Sequence, residues 1–101
     1  METSHQLVMY SKPGCHLCEG LQEKLEAIQN SDRYGLTFEL KIRDITTHPE
    51  WFNAYQYEIP VLYWMGRSQG TDDTTMQPIP RPSPRSSVDA VYRLLEKSLS
   101  T

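Results

Sequence analysis

The sequence predicts one α/β domain, a compact sheet carrying helices on both faces. An apolar run, Leu7-Val8-Met9-Tyr10, breaks at Ser11-Lys12-Pro13-Gly14 and gives way to a helical pattern. A second segment, Leu36–Arg43, alternates apolar and polar residues with period two. Strand-like and helix-like segments then alternate along the chain. A strand–helix–strand unit implies a parallel pair joined by a right-handed crossover, which fits a sheet covered on both sides.

Each element has a local reason. Residues 16–30 read as a helix because Leu17, Leu21, Leu25 and Ile28 recur every three or four positions, while Glu19, Glu23, Lys24 and Glu26 fall off that stripe. Asn30-Ser31-Asp32 and Gly35 end it. In the next strand Leu36, Phe38, Leu40 and Ile42 face one way. Pro49 suits the first turn of a short helix, with Thr47 or His48 before it as cap. Trp51, Phe52 and Tyr55 share its inner face. Val61–Met65 is a third strand, Gly66-Arg67-Ser68 a turn, and Trp64 suits either sheet face.

Residues 69–87 read as an irregular segment with proline at 78, 80, 82 and 84. Alternate amides of an extended chain point the same way. Such a segment donates hydrogen bonds along one edge only, through Ile79 and Arg81, and is either a sheet edge or a stiff polyproline-like loop. The loop is the expectation taken here. Ser86-Ser87 offers a cap for a last helix in which Val88, Val91, Tyr92, Leu95 and Leu99 have helical spacing. No repeat or second domain is visible, so residues 1–101 form a single domain with a polar tail at 1–6.

Composition narrows the function. Net charge is −3, and the 10 lysines and arginines are scattered, so the basic footprint of nucleic-acid binding is missing. No apolar run approaches the roughly 20 residues that span a bilayer. The first residues lack the basic segment and apolar core of a secretion signal, so the expected location is cytoplasmic. In that compartment two cysteines point to catalysis or metal binding before a structural staple.

The only two cysteines are Cys15 and Cys18, three apart at a helix start. Free N–H groups and the helix dipole stabilise a thiolate there, and Lys12 and His16 can add positive charge. The Cys15 thiol is therefore expected below the ordinary thiol range. Cys18, one turn in, is the natural resolving thiol, and the pair can carry dithiol–disulfide exchange. Two thiols also make half of a zinc site, but the remaining histidines, His5 and His48, have no ligand spacing, so no metal is assigned. Asp44 reads as a loop carboxylate, with proton transfer to a buried thiol as the alternative. Arg81 and Arg85 read as a solvated face.

The run Leu7–Cys18, with its Tyr-Ser-Lys-Pro-x-Cys-x-x-Cys core, resembles the first strand and active-site loop of glutaredoxins. The Cys-His-Leu-Cys form looks like a subgroup of small glutaredoxin-like proteins. Ile59-Pro60-Val61-Leu62 is similar to the family's second landmark, a cis proline facing the redox cysteine. The resemblance implies a thioredoxin-like α/β fold: a central mixed sheet of three or four strands flanked by helices on both faces. It implies Cys15 as nucleophile and Cys18 as resolving thiol, with Lys12, His16, Leu17, Ile59 and Pro60 around the substrate. It also implies a thiol–disulfide oxidoreductase with no tightly bound cofactor. Its partners would be a disulfide-containing protein or a glutathione-type substrate, with glutathione or a reductase as electron donor. Two departures stand out. Leu17 replaces a usual tyrosine. Gly70-Thr71-Asp72-Asp73 lacks the second glycine of the Gly-Gly-Asp signature, which counts against a high-affinity glutathione site. The alternatives are a thioredoxin-fold binding module without turnover and a metal or cluster carrier using the same cysteines.

Overall fold

The computed structural model describes residues 5–67 and 74–99. The chain runs through strand β1 (His5–Ser11), helix α1 (His16–Asn30), strand β2 (Phe38–Asp44), a 3-10 turn (Ile45–Thr47), helix α2 (Pro49–Tyr55), strands β3 (Val61–Arg67) and β4 (Thr74–Ile79), and helix α3 (Val88–Leu99). The four strands lie in the order β2-β1-β3-β4. β1 is parallel to β2 and antiparallel to β3, and β4 is antiparallel to β3. Helices α1 and α3 cover one face and α2 the other. This is the mixed, doubly covered sheet that the sequence predicts.

β1 is central, and that explains its unbroken apolar run. Leu7 and Met9 point into the core under α1 and α3, while Val8 and Tyr10 point into a smaller core with Ile45 under α2. A strand buried on both faces loses the polar half of its alternation. It also begins at His5, so residues 5 and 6 of the expected tail belong to the sheet.

α1 has the predicted limits, but its buried face differs by one residue. Cys18, Leu21, Leu25 and Ile28 are buried, whereas Leu17 is 52% exposed. Both sets have helical spacing, and the tilt of the first turn decides which residue reaches the core. β2 begins at Phe38 rather than Leu36, which packs against the core from the preceding loop. As an edge strand it is covered only in part. Phe38 and Leu40 reach the α1/α3 core, but Ile42, at the far end of the same face, is 41% exposed.

Asp44 ends β2 and caps the 3-10 turn. Its Oδ1 accepts from the Thr46 amide at 2.9 Å and from the Thr46 hydroxyl at 2.6 Å. These bonds favour the charged form and hold the carboxyl below its ordinary value. A depressed carboxyl stabilises the fold above the unfolded-state value, and the effect disappears as pH falls through the folded-state value. Asp44→Ala is therefore expected to lower the urea midpoint at neutral pH. Its difference from the native chain should vanish on acidification. A constant difference across that range would contradict the capping role.

Pro49 opens α2 as predicted, but neither expected cap residue caps it with its side chain. His48 occupies the cap position and stacks its ring on Trp51 at 3.7 Å, and the Thr47 hydroxyl donates to the Asp44 carbonyl at 2.7 Å. Trp51, Phe52 and Tyr55 pack on the small core, around Tyr10, whose hydroxyl accepts from Arg43 Nη1 at 2.9 Å.

The sheet extends further than the sequence suggests. Gly66 and Arg67, expected in a turn, continue β3, while Ser68 lies outside the described residues. Within the stretch read as irregular, Thr74–Ile79 forms β4 against β3, with Pro78 opposite Tyr63 and Ile79 opposite Leu62. The sheet-edge reading thus holds up to Ile79. Prolines 80, 82 and 84 follow in a connection to α3, where Ser87 Oγ accepts from the Ala90 amide at 3.1 Å. Trp64 lies in the α1/α3 core and donates from Nε1 to the Leu95 carbonyl at 3.1 Å. At the edge of the same core, Tyr34 donates to the Asp89 carboxylate, which raises the phenol above its ordinary value.

Candidate functional site

The site is built where β1 ends. A tight turn follows Ser11, closed by the Cys15 amide donating to the Lys12 carbonyl at 3.2 Å. Gly14 has φ 82°, in the region that glycine enters without Cβ strain. The turn delivers Cys15, in extended conformation, to the N-cap of α1. Its Sγ accepts from the Cys18 amide at 3.2 Å, one of the N–H groups that a helix start leaves without an intrahelical partner. The same hydrogen bond favours a thiolate once the pair is reduced.

The sulfurs of Cys15 and Cys18 lie close to disulfide distance, with Cα atoms 5.3 Å apart. Their environments differ as the sequence predicts. Cys15 is half-buried at the surface of the loop, while Cys18 is only 3% exposed and belongs to the main core. Of the two, Cys15 is the more accessible.

The Ile59–Pro60 peptide bond is cis, as the resemblance implies. Pro60 is buried, and Ile59 packs against both cores. Pro60 forms part of a groove of about 200 Å³ whose other wall is the first half of α1. His16 and Leu17 lie on that wall, so three of the sequence-predicted residues meet there. The His16 ring is exposed, with Nδ1 3.4 Å from the Glu19 carboxylate. Lys12 lies on the opposite flank of the loop, in a shallow hollow with Gly14, Cys18, Ile42 and Asp44. The dithiol thus separates two sides, one with Pro60 and Leu17, the other with Lys12 and Asp44.

Sequence reasoning missed the groove's second wall. Because β4 returns along β3 to place Ile79 opposite Leu62, residues 81–84 come beside Pro60. Arg81 is exposed, as expected of a solvated face, but it also has partners. Its Nη1 donates to the carbonyls of Glu58 at 3.0 Å and Ile59 at 3.3 Å, the two residues before the cis proline. Lys24 Nζ donates to the Pro84 carbonyl at 2.9 Å and ties the segment to α1. The only sequence signal was the proline run itself, whose distance from Pro60 depends on where β4 ends. Gly70–Asp73, matched to the Gly-Gly-Asp signature, lie outside the described residues.

Among the described residues, no three His, Cys, Asp or Glu side chains gather where a metal ion would sit. The two sulfurs supply two of the four donors that a closed zinc site needs. No helix among those residues is long and apolar enough to cross a membrane.

No curated protein matches the sequence significantly. Solved structures share its fold. One, described as a malarial protein, superposes with a TM-score of 0.61 at 15% identity, covering 96% of this chain and 99% of that one. The Trx4 domain of ERdj5 gives 0.60 at 12% identity, over 95% of this chain and 80% of that one. Thioredoxin 1 from Thermosipho africanus TCF52B gives 0.52 at 14% identity, over 94% of each. The sequence profile of the glutaredoxin-like domain (DUF836) matches residues 6–96, a span that takes in both cysteines, the cis proline and most of α3. With a thioredoxin-like sheet and a Cys-x-x-C pair at the start of α1, the chain belongs to the glutaredoxin-like domain family.

Proposed function

We propose that the protein is a thiol–disulfide oxidoreductase that works through Cys15 and Cys18. The observation that carries this reading is the asymmetric pair: a sulfur at the surface within bonding reach of a buried one. In the reduced protein the Cys15 thiolate attacks one sulfur of a substrate disulfide. A mixed disulfide forms and one substrate thiolate leaves. Cys18 then gives up its proton and attacks Cys15 Sγ, which releases the second substrate thiol. Two electrons pass from the protein to the substrate, the Cys18 proton ends on one departing sulfur, and the other leaves as a thiolate that water protonates. The protein returns to the dithiol by the reverse exchange with a small thiol of the glutathione class or with a dithiol reductase.

The roles of the neighbours follow from this chemistry. The Cys18 amide and the helix start stabilise the Cys15 thiolate. Lys12 adds positive charge on one flank and the His16 ring borders the other, Leu17 and Pro60 offer apolar contact, and the Ile59 backbone would meet an extended disulfide substrate. The compartment that suits a reducible pair of this kind is the cytoplasm.

The test is equilibration in glutathione redox buffers with thiol counting, together with turnover of a small uncharged disulfide. The expected result is a single two-electron couple, measurable turnover, and a Cys15 thiolate that titrates below the ordinary thiol range of about 8.5. A pair that stays locked in one state across all buffers, with no turnover, would overturn the reading.

A further inference from the structure

The groove beside the dithiol has a composition that names its occupant. Its apolar surface comes from Leu17, Leu21 and Pro60 on one side and Pro82 and Pro84 on the other. Its charged side chains are Lys24 and Arg81, with His16 at the mouth, and no carboxylate lines it. Among the described residues neither Lys24 nor Arg81 forms an ion pair; both donate to backbone carbonyls instead. Their positive charge is left uncompensated at this spot in a chain whose net charge is −3. Leu17, a large apolar side chain, stands more than half exposed at the end nearest Cys15.

From the redox reading above we infer that this groove binds an extended polypeptide segment of the disulfide substrate, one with an apolar side chain close to the reacting cysteine and a carboxylate further along. Spacing sets the register. Cys15 and Lys24 are nine positions apart on α1, or about 13 Å at 1.5 Å per residue. An extended chain covers that distance in about four residues. The apolar residue falls about two positions from the substrate cysteine, against Leu17 and Pro60, and the carboxylate about four positions away, near Lys24 and Arg81. The prolines favour a polypeptide over a small acid. Pro82 and Pro84 carry no N–H, so this wall cannot cradle a lone carboxylate with consecutive amides. Recognition falls instead to two side-chain cations and an apolar slot.

The test uses the whole protein and two synthetic disulfide peptides. Both carry leucine two positions from the cysteine on either side, and they differ only in having glutamate or lysine four positions away. The native protein should reduce the glutamate peptide with kcat/KM about tenfold higher, equivalent to ~1.4 kcal/mol. The preference should shrink to within about twofold in 0.5 M salt, as screening of exposed charges requires. Lys24→Glu should erase or invert it, and the salt series provides the same check without any substitution. Equal kcat/KM for the two peptides, a preference for lysine, or a glutamate preference insensitive to salt would overturn the groove assignment. Turnover of a small uncharged disulfide would then show that the redox reading still stands. If that disulfide is also left unreduced, the redox reading fails and the groove assignment falls with it.

Discussion

Cys15→Ser is expected to lose disulfide-exchange activity by roughly 10³-fold or more, as when the nucleophile of a covalent catalyst is removed. The reason lies in the geometry of the loop. Only Cys15 combines exposure with a place at the helix cap, where its sulfur receives the Cys18 amide. A serine hydroxyl at the same position stays protonated at neutral pH and cannot serve as the attacking group. Cys18→Ser should behave differently. The first exchange still occurs, but nothing displaces the product, so a mixed disulfide accumulates on Cys15. Intact-mass spectrometry after incubation with a disulfide peptide should show one added thiol, released by a strong reductant. Cys18 is buried in the main core, so its replacement also costs some stability, but trapping is read independently of that loss. Full activity of Cys15→Ser, or no adduct on Cys18→Ser, would contradict the assigned roles.

Trp64→Ala should be the most damaging core substitution, lowering stability by about 3–5 kcal/mol. That is a large share of the 5–15 kcal/mol typical of a folded domain. Trp64 is 4% exposed and sits edge-on to Phe38, with ring centroids 5.8 Å apart at 84°. Its indole N–H reaches the Leu95 carbonyl, so the same side chain fills the space under α1 and fastens α3 to the sheet. Trp64→Phe keeps most of the volume and loses the hydrogen bond, for an expected cost of about 1–2 kcal/mol. Urea denaturation of the two variants separates packing from hydrogen bonding. A Trp64→Ala chain within about 1 kcal/mol of the native one would show that the site collapses to fill the gap, contrary to a close-packed core.

The fold was legible wherever one local pattern had a single solution. Helix α1 shows its limits because Gly14 and Asn30 bracket a continuous apolar stripe, and α2 shows its start because Pro49 belongs in a first turn. The dithiol was legible because two cysteines at that spacing have few other uses. What stayed hidden depends on the tertiary arrangement. Leu17 and Cys18 both fit an inward-facing stripe, and only the docking of the first turn selects between them. Ile42 shares its face with Phe38, yet burial ends where α1 stops covering an edge strand. Strand β4 contains Pro78 and follows a turn-like sequence, so local propensity argues against it, and its pairing with β3 outweighs that. The hydrogen bonds of Arg81, read from the sequence only as part of a solvated face, were the largest omission. No local pattern reveals that a side chain will find the carbonyls of Glu58 and Ile59, more than twenty residues earlier.

The two faces of the sheet are unequally deep, and this divides the molecule in time as well as in space. Among the described residues only Val8, Tyr10 and Ile45 are buried under α2, and α2 itself contributes no fully buried side chain. Detaching that short helix would uncover these three residues and the half-buried Trp51, Phe52 and Tyr55, a smaller set than the core on the other face, so this flank is expected to open at a lower free energy. α1 carries four buried residues into a core of twelve, so its release is expected to cost more. The sulfur pair is thus mounted on the more deeply anchored flank, while the residue before the cis proline is tied to the shallower one, its amide donating to the Tyr55 carbonyl at 3.1 Å.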